Sequence, residues 1–155
     1  MQDGNRRTDL EEIWSLKHRY ARLIDTKRWD GFITLFTDDV VWDYVGLPRL
    51  TREDTLEMYQ VGTAHVAGFA TMLADVQTVH HIVMPEIRFT GPDTAEGVWS
   101  LHDLLFLPTN RFEGWGHYYE DYVRIGGEWK ISRIIMRRLK IVEQWYDEGP
   151  TQAAA

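Results

Sequence analysis

The chain has 155 residues, which is enough for one domain with a substantial core. Its formal net charge is −7 and its longest basic runs are two residues, so we expect no nucleic-acid partner. The absence of cysteine excludes disulfides, thiolate nucleophiles and thiolate metal sites. No stretch has the roughly 18 apolar residues of a membrane span. The polar first residues also lack a signal core, so we expect a cytoplasmic protein.

The first half of the chain predicts helices. Apolar residues at helical spacing begin after Thr8 or Asp9, either of which could cap the first helix, and they end near Ile24. Thr51 to Asp54 resembles a capping box, which predicts a later helix. Residues 62–74 are rich in small side chains and fit either a helix or a lid-like loop. We therefore predict helices at about 8–24, 29–36 and 51–61, with a short strand at 40–45.

The second half of the chain predicts a sheet, because the apolar period changes to two from Thr78 onward. Gly91-Pro92-Asp93 and Gly126-Gly127 have the composition of hairpin turns. The predicted strands are 79–89, 94–107, 116–125 and 128–145. Strands this long in a small domain predict a strongly bent sheet.

The expected fold is therefore α+β: a cone-shaped, curved, mixed but mostly antiparallel half-barrel sheet against three helices, enclosing one hydrophobic pocket. We expect a single domain at 9–146, between loose tails at 1–8 and 147–155. Aromatic residues make up 13% of the chain, and a stock of this size suits a pocket for a flat organic molecule.

Asp103 breaks the apolar pattern of its strand. Alternation places it on one face with Trp99, Leu101 and Leu105, where it is the only polar side chain. Burial of a lone carboxylate there would raise its pKa, which suits a general acid or base. The alternative is a structural carboxylate that pairs with an arginine of the neighbouring strand, such as Arg133 or Arg137. The pattern alone favours neither.

Adjacent His80 and His81 point to opposite faces of a strand, so they cannot share one task. Simple parity puts His81 inside. A bulge near Met84-Pro85 would reverse this, because proline fits poorly inside a paired strand. For an isolated histidine, a hydrogen-bonded core residue without chemistry is the usual alternative.

Asp25 and Tyr20 complete a possible acid–base set. Asp25 closes the first helix, where its negative charge opposes the helix dipole, although an exposed loop residue or a helix cap would look the same. Tyr20 lies on the apolar stripe of that helix and needs a partner for its hydroxyl if it is buried. A core-edge tyrosine is the alternative.

Three stretches carry a resemblance to a known family. Residues 12–42, with Tyr20 to Asp25 at their centre, resemble the opening of SnoaL-like proteins of the nuclear transport factor two superfamily, which have a cystatin-like cone fold. Residues 80–95 resemble that family's central strand, although Met84 stands where the pattern has asparagine. Residues 118–131 resemble its closing hairpin. The resemblance runs over residues 9–145.

Within that superfamily the chain looks most like the lyases scytalone dehydratase, hexachlorocyclohexane dehydrochlorinase and bile-acid dehydratase. The resemblance places Asp25 and His80 on catalytic positions that all three lyases share, and Tyr20 and Asp103 on two further positions of bile-acid dehydratase, and so favours His80 over His81. It implies that His80 removes a proton beside a carbonyl or an activated ring, while Asp25 orients the imidazole. Predicted substrate contacts are Trp42, Trp99, Leu101, Leu105 and Tyr118.

The predicted function is an elimination, of dehydratase type, on a small hydrophobic and aromatic or polycyclic molecule. No cofactor is expected, and the spacing of the histidines predicts no metal site. Two rivals remain: an isomerase or polyketide-type cyclase with Asp103 as base, and a non-catalytic carrier. His102, Leu104 and Phe106 leave an apolar outer face, so we expect a homodimer, with a trimer as the alternative.

Overall fold

The computed structural model describes residues 2–148, with side chains from Asn5 onward. Three helices, α1 (Gln2–Asp25), α2 (Trp29–Phe32) and α3 (Val66–Met72), accompany six strands. The strands are β1 (Phe36–Val45), β2 (Glu57–Val61), β3 (Gln77–Phe89), β4 (Thr94–Phe106), β5 (Asn110–Ile125) and β6 (Glu128–Trp145). Short 3₁₀ turns follow α2 and β6. None of the helices in residues 2–148 combines the length and the apolar content needed to cross a bilayer.

The six strands form one curved mixed sheet in the order β2-β1-β6-β5-β4-β3. Only the β1–β6 pair is parallel among these strands. Helix α1 packs its apolar stripe, which includes Ile13, Leu16 and Ile24, into the core of the half-barrel. The predicted α+β cone with three helices is confirmed.

Helix α1 begins at Gln2, earlier than the predicted start at Thr8 or Asp9. Asp9 is not a helix cap, because its carboxylate accepts hydrogen bonds from Arg124 at 2.5 Å and from Trp129 at 3.2 Å. Arg6 lies over the ring of Phe89 at 4.2 Å. These contacts hold the first turns of α1 against the sheet. From residue 149 onward, the predicted C-terminal tail lies outside the described residues.

The helix predicted at 51–61 is wrong. The carboxylate of Asp54 accepts hydrogen bonds from the backbone N–H groups of Leu50 and Thr51, at 2.8 and 2.9 Å, which closes a tight turn instead of starting a helix. The chain then continues as the edge strand β2, which pairs with β1. The third helix is α3, within the segment whose sequence fitted either a helix or a lid-like loop.

The four long strands agree with the predicted ones except at two starts and at the end of β4, which lies at Phe106 where 107 was predicted. β3 begins two residues early, and β5 begins at Asn110 where 116 was predicted. β1 also begins at Phe36, which shortens α2. Gly126 and Gly127 both have positive φ, 59° and 81°, as the predicted β5–β6 turn requires.

The outer face of the sheet exposes several apolar side chains, among them Val83, Phe106 and Leu139. Beside them the His102 ring stacks on Trp115, with ring centroids 5.2 Å apart. The predicted homodimer stays a prediction.

Two bulges in the β5–β6 pair shape the sheet, and one of them depends on Gly116. A Cβ at this position would lie 2.2 Å from the backbone oxygen of Arg137, and a backbone atom cannot move aside cheaply. We expect Gly116→Ala to lower the free energy of unfolding by at least about 1–3 kcal/mol, the usual cost of overpacking. Urea unfolding followed by tryptophan fluorescence measures it.

Gly68→Ala is the matched control, because a Cβ at Gly68 in α3 meets no atom within 4 Å. We expect this substitution to be neutral or to stabilise by up to about 1 kcal/mol through helix propensity. Equal stability of the Gly116 and Gly68 variants would contradict the role assigned to the bulge.

Candidate active site

The side chain of His80 faces the interior of the cone and that of His81 faces outward. Between Val83 and Glu86 the register against β4 shifts, and Met84 takes a φ of 52°. Pro85 indicated in the sequence that a bulge could lie at this position. It reverses the parity of β3, so His80 lies on the same face as Ile87 and lines a cavity.

The carboxylate of Asp25, at the end of α1, holds His80 by two hydrogen bonds. Asp25 Oδ1 lies 2.6 Å from His80 Nδ1, and Oδ2 accepts the backbone N–H of His80 at 2.9 Å. The hydroxyl of Thr78 donates to Oδ1 at 2.8 Å. The imidazole is therefore fixed in position and orientation.

The pairing with Asp25 also determines the tautomer of His80. An ionised carboxylate can only accept a hydrogen bond, so Nδ1 carries the proton that it shares with Asp25. In the neutral ring the lone pair then lies on Nε2. This nitrogen is the one available to accept a proton from a molecule in the cavity.

Asp103 is buried but it is not a lone carboxylate. Arg138 on β6 binds both of its oxygens, with Nη1–Oδ1 at 2.5 Å and Nη2–Oδ2 at 3.0 Å. The side chains of Asp103 and Arg138 are only 4% and 6% exposed. The alternative of an arginine pair is thus correct, with Arg138 in place of Arg133 or Arg137. Both members of the pair line the same cavity as His80.

Two glycines make the space for Arg138. A Cβ at Gly114 would lie 2.5 Å from Arg138 Nη1 and 2.9 Å from Asp103 Oδ1. A Cβ at Gly46 would lie 2.4 Å from Arg138 Cγ, and the carbonyl of Gly46 accepts the Nε–H at 3.1 Å. The guanidinium therefore donates through Nη1 and Nη2 to Asp103 and through Nε to Gly46, and its direction is fixed.

Three tyrosine hydroxyls meet at the floor of the cavity. The oxygen of Tyr20 lies 2.7 Å from that of Tyr44 and 3.4 Å from that of Tyr118. Burial is the main cause that raises the pKa of each of these tyrosines well above its ordinary value. All three phenols therefore stay protonated at neutral pH and can donate hydrogen bonds.

The cavity has a volume of about 60 Å³ and is mostly apolar. α3 contributes part of its wall through Phe69 and Met72, and the segment after β1 contributes Leu47 and Pro48. Clefts that bind drug-sized ligands have about 300–1,000 Å³. The described conformation therefore holds a small ligand, and a larger one requires part of the cavity wall to move.

Of the five predicted substrate contacts, Leu105 and Tyr118 line the cavity. Trp42, Trp99 and Leu101 are buried in the core instead. Trp42 donates to Gly62 O at 2.8 Å, and Trp99 donates to Tyr122 at 2.8 Å, so both indoles are occupied away from the cavity. Alternation gave the correct face for Trp99 and Leu101 but not their distance from the cavity, which occupies only one end of that face.

Arg138, Tyr44 and Thr78 line the cavity and were missed. Simple parity on β6 groups the odd-numbered residues together. However, the register shift at Asp121/Tyr122 moves the inward phase to the even-numbered residues from Ile134 to Arg138, and the shift at Trp115/Gly116 returns it to the odd-numbered residues beyond Arg138. Gly114 and Gly116 were the sequence signal for an unusual site on this part of the sheet, since glycine in a strand often marks a bulge or a close approach of another group.

The chain belongs to the SnoaL-like domain family, whose model matches residues 5–135. FGR4 of Gibberella zeae, provisionally named as a cyclase, is 23% identical over 131 residues, which are 79% of this chain and 86% of that protein. The family assignment made from the sequence is confirmed.

Two solved structures show the same fold. A protein of Novosphingobium aromaticivorans DSM 12444, provisionally named scytalone dehydratase, has a TM-score of 0.77 at 18% identity, with 92% of this chain and 91% of that one covered. Hexachlorocyclohexane dehydrochlorinase LinA-type3 of Novosphingobium barchaimii LL02 has a TM-score of 0.72 at 16% identity, with 99% of both chains covered.

The Asp103–Arg138 pair predicts an asymmetric effect of mutation. Arg138→Met leaves a buried carboxylate without its partner, so we expect a loss of about 3–5 kcal/mol in the free energy of unfolding. Asp103→Leu combined with Arg138→Met removes both charges and should lower the free energy of unfolding by less than Arg138→Met alone does. Denaturant unfolding of the single and double variants measures the difference.

Arg137→Met is the control, because Arg137 pairs with Asp43 at the surface, where the side chains are 43% and 29% exposed. We expect Arg137→Met to lower the free energy of unfolding by at most about 1 kcal/mol. An Arg138 variant that is no less stable than this control would contradict the buried pair.

Proposed function

We propose that this chain is a lyase that eliminates a small group from a hydrophobic molecule by general acid–base catalysis, with side chains alone as catalysts. The observation that carries the proposal is the orientation of His80. Asp25 holds one of its nitrogens at 2.6 Å and leaves the other toward an apolar cavity. A positioned imidazole that can accept a proton is the usual general base of enzymes.

In the proposed reaction, His80 Nε2 removes a proton from a carbon beside a carbonyl or an activated ring. The electron pair of that C–H bond forms the new double bond, and the neighbouring C–O or C–halogen bond breaks with its pair on the leaving group. A departing hydroxyl takes up a proton and leaves as water, whereas a halide leaves as the anion. Asp25 stabilises the imidazolium that forms.

The tyrosines at the cavity floor supply the acid side of the reaction. Their hydroxyls are protonated and converge within 3.4 Å of Tyr20, so they can hydrogen-bond a substrate oxygen or protonate a leaving hydroxyl. Arg138 contributes a fixed positive charge in the same cavity. The apolar walls and the volume of about 60 Å³ favour a substrate with one ring over a polycyclic one.

A second candidate is a cyclase or isomerase in which Asp103 is the base. The provisional name of FGR4 as a cyclase favours it. The bidentate pair with Arg138 argues against it, because both carboxylate oxygens are already engaged. A carrier without chemistry would need neither Asp25 nor His80.

The test compares wild type with His80→Ala on hydroxylated and halogenated aromatic, steroid and terpenoid compounds, with mass spectrometry to detect lost water, halide or a carbonyl fragment. We expect wild type to turn over at least one compound. His80→Ala should lower kcat by about 10²–10⁴-fold, the usual contribution of a general base. Asp25→Asn should also reduce kcat, by a smaller factor.

His81→Ala is the matched control, since it removes the same side chain from the opposite face of the same strand. Its kcat should stay within about twofold of wild type. Turnover that persists in His80→Ala and disappears in Asp103→Asn would refute His80 as the base and assign that role to Asp103, as the cyclase or isomerase candidate requires. Tight binding of these compounds without turnover would identify a carrier.

A further inference from the structure

A buried ion pair lies directly beneath the tyrosines of the cavity floor. Lys17 of α1 bonds Glu120 of β5 through Nζ and Oε1, and both side chains are fully buried. The second oxygen of Glu120 accepts the hydroxyl of Tyr122 at 2.5 Å, and Trp99 donates to that hydroxyl at 2.8 Å. A buried ion pair contributes little net stability, because desolvation offsets the attraction. Stability alone therefore does not account for this pair.

The ammonium of Lys17 lies between two aromatic rings. Nζ is 3.7 Å from the ring centroid of Tyr20 and 3.7 Å from that of Tyr118. Both distances are well within the roughly 6 Å range of cation–π attraction, which is strongest in desolvated sites. One charge thus holds two rings at a fixed angle of 70°.

The hydroxyls of these two rings reach the cavity, where Tyr20 and Tyr118 are wall residues. A cation on the face of a phenol draws electron density out of the ring and away from the oxygen. The hydroxyl then becomes a stronger hydrogen-bond donor. Because burial keeps both phenols protonated, this strengthening acts on donors and not on phenolates.

We propose that Lys17, held by Glu120, is a positioning residue for the chemistry in the cavity: its charge orients Tyr20 and Tyr118 and strengthens their hydroxyls as donors to the substrate or leaving group. Lys17 itself does not touch the ligand. This inference rests on the proposed lyase function, in which these hydroxyls supply the acid.

The charge of Lys17 is sensitive to mild alkali. Burial lowers the pKa of Lys17 to about 8, and the neighbouring Glu120 partly opposes this shift. The other titratable groups around the pair are Tyr20 and Tyr118, whose rings contact Lys17, and Tyr122, which donates to Glu120. Burial raises the pKa of each of these tyrosines, so they keep their protons while Lys17 loses its own.

The decisive variant is Lys17→Met combined with Glu120→Gln, which removes both charges and leaves no buried ion unpaired. We expect kcat to fall about 30-fold, the rate equivalent of a desolvated cation–π interaction, while KM changes less than about threefold. Wild-type kcat should decline as the pH rises through about 8, and the double variant should lack this decline. Above about pH 8 the kcat of wild type should approach that of the double variant.

Lys140→Met is the control for loss of a lysine, because Lys140 is exposed on β6. It should keep the wild-type kcat and the alkaline decline. A double variant that folds, as judged by circular dichroism, and keeps both properties would overturn the proposal. A loss confined to stability, with unchanged kcat, would overturn it equally.

A measurement without substrate separates this proposal from the lyase assignment. In protein labelled with ¹³C at the ζ carbon of tyrosine, the signals of Tyr20 and Tyr118, assigned with Tyr→Phe variants, should shift as the pH passes about 8. They should not shift in the double variant. Signals that stay constant in wild type overturn the role of Lys17. Signals that shift in a protein with no turnover leave the coupling standing and refute only the lyase.

Discussion

The geometry of the site depends on one carboxylate, that of Asp25, which joins the end of α1 to the beginning of β3. It accepts the backbone N–H of His80 at 2.9 Å and the hydroxyl of Thr78 at 2.8 Å, in addition to its bond with the imidazole. Helix and sheet are therefore fixed to each other at the position where the proposed base lies. Two of these three bonds do not involve the His80 ring, so the carboxylate keeps its place whatever the charge of the imidazole.

The cavity brings together two separate sets of charges. His80 lines the cavity from β3 and is held by Asp25 of α1, whereas Asp103 and Arg138 line it from β4 and β6. Tyr20, Tyr44 and Tyr118 line the same cavity. Each buried charge has a partner within hydrogen-bond distance, which limits the cost of placing it in apolar surroundings. Apolar walls then weaken the screening of these charges by water.

Local pattern was sufficient for most of the fold. Period-two alternation located β3, β4 and β6, and the glycine pair at 126 and 127 located the last turn. The wrong prediction of a helix at 51–61 has a physical cause. A capping pattern describes hydrogen bonds within a few residues, and the same bonds around Asp54 also close a turn. Only the long-range pairing of β2 with β1 decides between the two outcomes.

The site was predictable where it depended on one element and its family pattern, and unpredictable where it depended on bulges. Asp103 stood out by alternation, but its partner on β6 did not, because a register shift between Ile131 and Arg133 reverses the parity of β6 before Arg138. Lys17 shared a helical stripe with apolar residues. Its burial depends on Glu120, which lies 103 positions along the chain. A pattern of residues near Lys17 in the sequence therefore could not predict its burial.

The position of β1 has a consequence for the order of folding. β1 lies inside the sheet beside β6, although Phe36 and its partner Ile131 are far apart in the chain. Contacts between such distant segments carry a large entropic cost of loop closure and slow the folding of a domain. During synthesis, Tyr44 and Tyr118 can be buried together only after the last strand has emerged. A nascent chain that stops before β6 therefore leaves β1 and β5 as two additional open sheet edges and has no enclosed cavity.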